Sequence, residues 1–165
     1  MAVETGEAPF EGISGIEAFS AAAARLVGDT RLTLDLFSYD LDRRVYGGED
    51  FIRPMRKFLL SHGRARVRVL VNAPPRAISG GNRLVNFGRT LTSFVEFREL
   101  PENKQTLRED YLIADGRVLL IRASPDEREA KFFTQAPHVA RAQQRVFDSI
   151  WDESEPSQEL RGMKL

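Results

Sequence analysis

No cysteine occurs in the chain, which removes disulfides, thiolate metal sites and a cysteine nucleophile, and fits a reducing compartment as well as any other. Net charge is missing as well, since 24 basic residues balance 24 acidic ones and the isoelectric point lies near 6.8. Without a global field nothing gathers nucleic acid or an anionic membrane over long range, so such partners are disfavoured unless a local patch serves them. Long apolar runs are absent too: none approaches the roughly 18 residues of a spanning helix. Met1 to Gly12 is acidic and has neither the basic n-region nor the apolar h-region of a secretory signal. These absences predict a cytoplasmic protein without a membrane span. Lysine is scarce, four against twenty arginines, a bias that suits planar recognition of phosphate or carboxylate and that a GC-rich genome also produces. The two histidines, His62 at a helix end and His138 at a helix start, sit in no catalytic motif and read as surface residues.

What is present is enough for one domain, because a chain of 165 residues buries roughly 70% of its unfolded surface. Residues 1–12 are expected to be flexible, 13–155 to form the domain, and 156–165 to be a tail or short strand. Ser14-x-x-Glu17 reads as a capping box ahead of a helix that ends at Gly28. Leu32 to Tyr39 alternates as a strand, with Ser38 and Asp40 at its carboxyl end. A loop over 41–48 leads to a helix carrying Phe51, Met55 and Phe58, in which Pro54 must lie near the first turn or cause a kink. Arg64 to Asn72 is a second strand, and a helix from about Ser79 carries Leu84, Phe87 and Leu91, with Gly88 its weak point. Phe94 to Leu100 is a third strand and 101–107 a polar connection. A hairpin follows, then a polar loop over 124–131, then a helix from Pro137 with Phe147 and Trp151 on its core face. This order predicts an α/β fold, a mixed β-sheet with helices on both faces.

The hairpin carries the most specific signal. Arg108-x-Asp110-x4-Asp115 runs straight into an Asp115-Gly116 turn followed by the apolar strand Val118 to Arg122. Its frame resembles that of the phospholipase D-like superfamily, whose members carry His-x-Lys-x4-Asp here and Gly-Ser-x-Asn a few residues later. Phe37-Ser38-Tyr39-Asp40, Val67 to Val71 and Phe147-x-x-x-Trp151-x-x-Ser154 also look like their counterparts, so the resemblance spans roughly residues 13–155 and implies one phospholipase D-like half. In that family the histidine attacks phosphorus, a second histidine protonates the leaving oxygen, and lysines hold the phosphate; two motifs are needed, from one chain or from two. Here Arg108 replaces the histidine, Asp110 replaces the lysine, only Asp115 matches, and Arg122-Ala123-Ser124-Pro125 stands in place of Gly-Ser-x-Asn.

Arginine stays protonated at neutral pH and cannot be the nucleophile, and a carboxylate repels the phosphate a lysine would clamp. The resemblance therefore implies a catalytically degenerate bacterial domain acting as a binding or regulatory module, with no cofactor and no metal, and a homodimer as the implied oligomer. With Ala114 and Arg117 flanking a two-residue turn, Glu109 falls opposite Arg122, while Arg108 and Asp110 share the other face. Ser38, Asp40, Arg108, Asp110 and Arg122 then form a candidate pocket for an anionic or phosphate-containing ligand. In the plainer alternative, Arg108 and Asp110 are an internal ion pair filling the old pocket.

One enzymatic alternative is a phosphodiesterase or phosphotransferase using Asp110 or Asp40 as base and Arg108 or Arg122 on phosphate. Another is nucleic-acid binding through Arg64, Arg66 and Arg68, backed by Arg53, Arg56 and Lys57, although no aromatic platform interleaves with this stripe. Gly80-Gly81-Asn82 is a weak candidate for an anion cradle at a helix start. Asp40, Asp42, Glu49 and Asp50 lack metal-loop spacing and read as caps and loop carboxylates.

Overall fold

Leu34 and Leu36 lie in one hydrophobic cluster and Phe37 in another, and the same alternation separates Leu112 and Ala114 from Tyr111 and Ile113. This period of two makes a single sheet with a core on each face. The computed structural model describes residues 8–61, 63–79 and 81–161. Among them the chain order is β1 (Glu11–Ser14), α1 (Ile16–Gly28), β2 (Thr33–Ser38), α2 (Arg43–Tyr46), α3 (Glu49–Leu60), β3 (Arg66–Val71), α4 (Pro74–Ile78), α5 (Arg83–Arg89), β4 (Val95–Glu99), a 3-10 turn (Glu102–Lys104), β5 (Asp110–Ala114), β6 (Val118–Arg122), β7 (Glu129–Phe133), α6 (Pro137–Glu153), β8 (Glu155–Pro156) and α7 (Gln158–Arg161). The strands lie in the order β1-β7-β6-β5-β2-β3-β4-β8. β2, β3 and β4 are parallel and the other pairs antiparallel, so the sheet is mixed.

The two faces are covered unequally. Phe19 and Leu26 of α1, Val45 and Tyr46 of α2, Met55 and Phe58 of α3 and Leu84 of α5 pack on the first face. On the second face, α6 is the one described helix that contributes buried residues, through Val139, Phe147, Ile150 and Trp151. Arg68 of β3 fastens it there. Its Nε and Nη2 donate to Asp35 at 2.7 and 3.1 Å, Nη2 also reaches Asp148 at 2.7 Å, and Gln144 Nε2 donates to both carboxylates. The guanidinium also lies 5.0 and 5.2 Å from the Phe147 and Trp151 ring centroids. Burial works against its charge, and the two carboxylates outweigh burial and hold its pKa above the ordinary value.

Several local expectations change. Ser14 is no cap: it closes β1 and its hydroxyl donates to Glu129 at 2.9 Å, leaving Gly15 as N-cap without a side-chain bond. β1 takes in Glu11 and Gly12 from the stretch expected to be flexible, because Glu11–Ser14 pairs with β7; Met1–Glu7 lie outside the described residues. The expected loop over 41–48 contains α2, capped by the Asp42 carboxylate on Arg44 N. The expected loop over 124–131 contains the start of β7, whose alternating Ala130 and Phe132 face the core. Ser79 ends α4 instead of starting a helix, and Asn82 caps the next one. The tail begins with a two-residue strand and turns into α7, where Leu160 is buried.

Gly88 is required, not merely tolerated. A Cβ there would sit 2.5 and 2.7 Å from two atoms of the buried Phe97 ring. Gly88→Ala adds helix propensity of about 1 kcal/mol but overpacks the core by roughly 1–3 kcal/mol. The expected net result is a lower melting temperature by a few degrees in a circular dichroism melt, and a larger fall for Gly88→Val.

Candidate functional site

The hairpin of β5 and β6 sits in the middle of the sheet, between β2 and β7. Its turn places Asp115 at φ 55 and Gly116 at φ 66, both left-handed as a type I′ turn needs. Arg117 N donates to Ala114 O at 2.9 Å, but the ladder resumes only at Ala114 opposite Val118. Arg117 is thus an extra residue, and the expected register is off by one. Asp110 stands opposite Arg122, and the pairing of Glu109 with Arg122 does not occur.

This shift builds a closed cluster on the first face. Arg122 Nε and Nη2 both donate to Asp110 Oδ2, at 2.9 and 2.6 Å, and the Tyr46 hydroxyl donates to Oδ1 at 2.6 Å. The guanidinium lies 4.3 Å from the centroid of the Phe19 ring. Asp110 is 2% exposed, Arg122 4% and Tyr46 0%. Burial pushes the Asp110 pKa up, against the Arg122 charge and the hydrogen bonds from Tyr46 and Arg122. Burial, then the Asp110 charge, hold Tyr46 well above the usual tyrosine range, so it remains a donor. Tyr46, on a short helix within the expected loop, was missed by sequence reasoning; a buried aromatic 64 positions from its partner leaves no local signal.

Arg108 takes no part in this cluster. It is exposed, has no carboxylate within ion-pair distance among the described residues, and lies 4.5 Å from the Tyr39 ring centroid. The expected ion pair of Arg108 with Asp110 is therefore replaced by Arg122 with Asp110, because Asp110 turns inward while Arg108 precedes the strand. Arg76 reaches the same Tyr39 ring at 5.6 Å, and its Nε lies 3.5 Å from Asp40 Oδ2. Asn72 at the end of β3 holds the neighbouring connection by donating to the carbonyls of Gln105 and Leu107 at 3.0 and 2.9 Å. Tyr39, Asp40, Arg76 and Arg108 thus meet outside the carboxyl ends of β2 and β3, where open α/β sheets bind ligands. Ser38 is buried and its Oγ accepts from Leu41 N at 2.9 Å, a structural use.

Asp115 is also structural here. Its carboxylate accepts from the backbone N–H groups of Arg31, Leu32 and Thr33 at 2.9, 2.7 and 3.0 Å, tying the hairpin to the entrance of β2. The arginine stripe is dismantled: Arg68 is held by two carboxylates, and Arg66 donates to the carbonyls of Gly63 and Ala65 and covers Phe94. Asn82 spends its side chain on Val85 N and the Leu41 carbonyl, which removes it from an anion cradle; Gly80 and His62 lie outside the described residues. His138 is exposed in the first turn of α6. Among the described residues no group of three histidine or carboxylate side chains is arranged to hold a metal ion, and no helix is long and apolar enough to cross a membrane.

A family model described as a domain of unknown function, DUF7931, matches residues 15–163. No curated protein matches the sequence. Among solved structures, Nuc from Salmonella typhimurium, a phospholipase D family member, superposes with a TM-score of 0.59 at 11% identity, over 90% of this chain and 99% of that one. TrmBL2, an archaeal chromatin protein with a novel mode of DNA binding, gives 0.62 at 14% identity, over 94% of this chain and 57% of its own. Phosphatidylserine synthase of Haemophilus influenzae Rd KW20 gives 0.58 at 10%, over 94% of this chain and 41% of its own. At these identities the likeness shows the fold, which is phospholipase D-like.

Proposed function

We propose that this chain, which belongs to the DUF7931 family, is a phospholipase D-like module that binds a phosphate-containing anion without hydrolysing it. The observation that carries this reading is the division of labour at the motif. Asp110 is sealed beneath Arg122 and Tyr46, while Arg108 remains exposed on Tyr39. A guanidinium lying on an aromatic ring keeps its N–H edge free for a phosphate fork. Arg76 supplies a second guanidinium on the same ring. The sealed carboxylate cannot reach a substrate as a base, which speaks against the remodelled phosphodiesterase in its Asp110 form; in the Asp40 form the base would lie 3.5 Å from the Arg76 guanidinium, which favours its ionised, ion-paired state. A regulatory role in a bacterial cytoplasm, with the domain working beside a partner or as a homodimer, follows as part of the same proposal.

Titration calorimetry with inorganic phosphate and with short single-stranded DNA tests it. Binding is expected to weaken about tenfold or more in Arg108→Ala, the loss of a charge-assisted hydrogen bond. No binding of either probe would sink the reading, and turnover of a phosphodiester that vanishes in both Arg108→Ala and Asp110→Asn would replace it with the enzymatic one.

Nucleic acid as the source of the phosphate is favoured by one feature, the Tyr39 ring flanked by Arg76 and Arg108, since stacking with cation support suits unpaired strands. A structural neighbour described as DNA-binding also works against dismissing nucleic acid on net charge alone. If this source is right, affinity for the strand falls steeply with salt; an affinity indifferent to salt rejects it.

A further inference from the structure

The second face of the sheet is only partly covered. Beside α6, a groove of about 1400 Å³ runs over β5, β6 and β7, larger than the roughly 300–1,000 Å³ of ordinary small-ligand pockets. Leu119, Ile121, Phe133, Val139, Val146 and Ile150 line it. Its rim is electrically balanced, Lys104, Lys131 and Arg145 against Glu109, Glu127 and Glu129, so net charge selects nothing. One polar group stands out among the groove residues. The Tyr111 hydroxyl is buried and meets no partner in full hydrogen-bond geometry among the described residues; the amide of Gln143, which also lines the groove, is near enough to act on its oxygen as a weak donor, which leaves the hydroxyl proton unaccepted. A buried hydroxyl without a partner is uncommon and calls for an explanation. Its ring is fixed, stacked on Phe37 at 4.9 Å and edge-on to Phe147 at 6.4 Å, so the hydroxyl has little freedom to find water elsewhere.

We propose that this groove binds a single-chain amphiphile, its long acyl chain on the apolar wall of β6 and α6 and its carbonyl or carboxyl oxygen accepting a hydrogen bond from Tyr111. A long apolar wall with one donor favours such a ligand over a compact polar metabolite, which would leave most of its own groups unpaired. Gln143, whose amide can also donate, is placed to turn towards the second oxygen of a carboxylate. Neither Arg108 nor Tyr39 lines the groove, and the proposal does not depend on phosphate binding there.

The full chain is titrated calorimetrically with oleate and, separately, with monoolein, both below their micelle concentrations. Saturable one-to-one binding is expected. Oleate alone binding assigns a free carboxylate head, and both binding assigns the carbonyl. Tyr111→Phe should weaken binding about threefold to tenfold and leave the melting temperature unchanged or higher, because the free protein loses an unsatisfied group. Val146→Arg, which places a charge on the partly buried wall, should abolish binding. The proposal is overturned if neither probe saturates, or if Tyr111→Phe binds as tightly as the parent protein. It is equally overturned if the parent sediments as a dimer that Val146→Arg dissociates, since the groove is then a subunit interface.

Discussion

Arg122→Ala is expected to lower the melting temperature by roughly 10 °C or more, the largest effect of any single change in the site. Removing one member of a buried ion pair costs about 3–5 kcal/mol, and each kcal/mol is roughly 2–4 °C for a chain of this size. The cost arises because Asp110, 2% exposed, keeps its desolvation penalty and loses both bonds to its partner. The pair itself is not thereby a net stabiliser. Replacing all three groups by apolar ones of similar volume, as in Asp110→Leu with Arg122→Met and Tyr46→Phe, leaves no uncompensated charge and no orphaned hydroxyl. That triple variant should melt close to the parent or above it. Thermal melts of the three proteins, parent, Arg122→Ala and triple variant, decide the matter; a triple variant as unstable as Arg122→Ala would mean that the pair is needed for packing rather than for its own neutralisation.

The same geometry predicts what a grafted motif would do. Arg108→His with Asp110→Lys introduces the phospholipase D-like His-x-Lys pattern in sequence, yet it buries a lysine against Arg122 and Tyr46. The expected product is a poorly folded protein with no phosphodiesterase activity. Positions 110 and 122 are coupled, because a cation at position 122 stabilises the interior only while position 110 is an anion.

The sequence was most legible where structure is local. The strands carrying Leu34, Val69 and Leu112 follow from alternation, and the Asp115-Gly116 hairpin from its turn residues, since such signals lie within a few positions of one another. What failed was decided at a distance or by a single residue. Arg117 slipped the hairpin register, and a one-residue slip exchanges every partner; Asp110 thereby met Arg122 instead of leaving it to Glu109. Asp35, Arg68 and Asp148 lie far apart in sequence and meet only when α6 crosses the second face. The candidate pocket divides accordingly: Asp110 and Arg122 are brought together, Asp40 and Arg108 lie around Tyr39, and Ser38 serves the backbone.

Asp115→Ala carries the second large effect, and it separates the motif as chemistry from the motif as architecture. Two backbone N–H groups, of Leu32 and Thr33, donate to Oδ1 and one, of Arg31, donates to Oδ2. Alanine removes all three acceptor contacts and must also hold φ 55, where a non-glycine residue pays roughly 1 kcal/mol. Partial exposure lets water recover some of the loss, so the net cost is about 3–4 kcal/mol and the melting temperature falls by about 10 °C. Asp115→Gly removes the backbone term and isolates the hydrogen bonds. Asp115→Asn tolerates the left-handed backbone and can keep the two bonds to Oδ1, while its amide faces the Arg31 N–H as donor against donor; its melting temperature should lie between those of the parent and alanine proteins. Binding of phosphate by any variant that remains folded should be unchanged, since Arg108 and Tyr39 do not touch this carboxylate. A loss of affinity in folded Asp115→Asn would show instead that this aspartate acts on the ligand, and that the site extends around the hairpin turn.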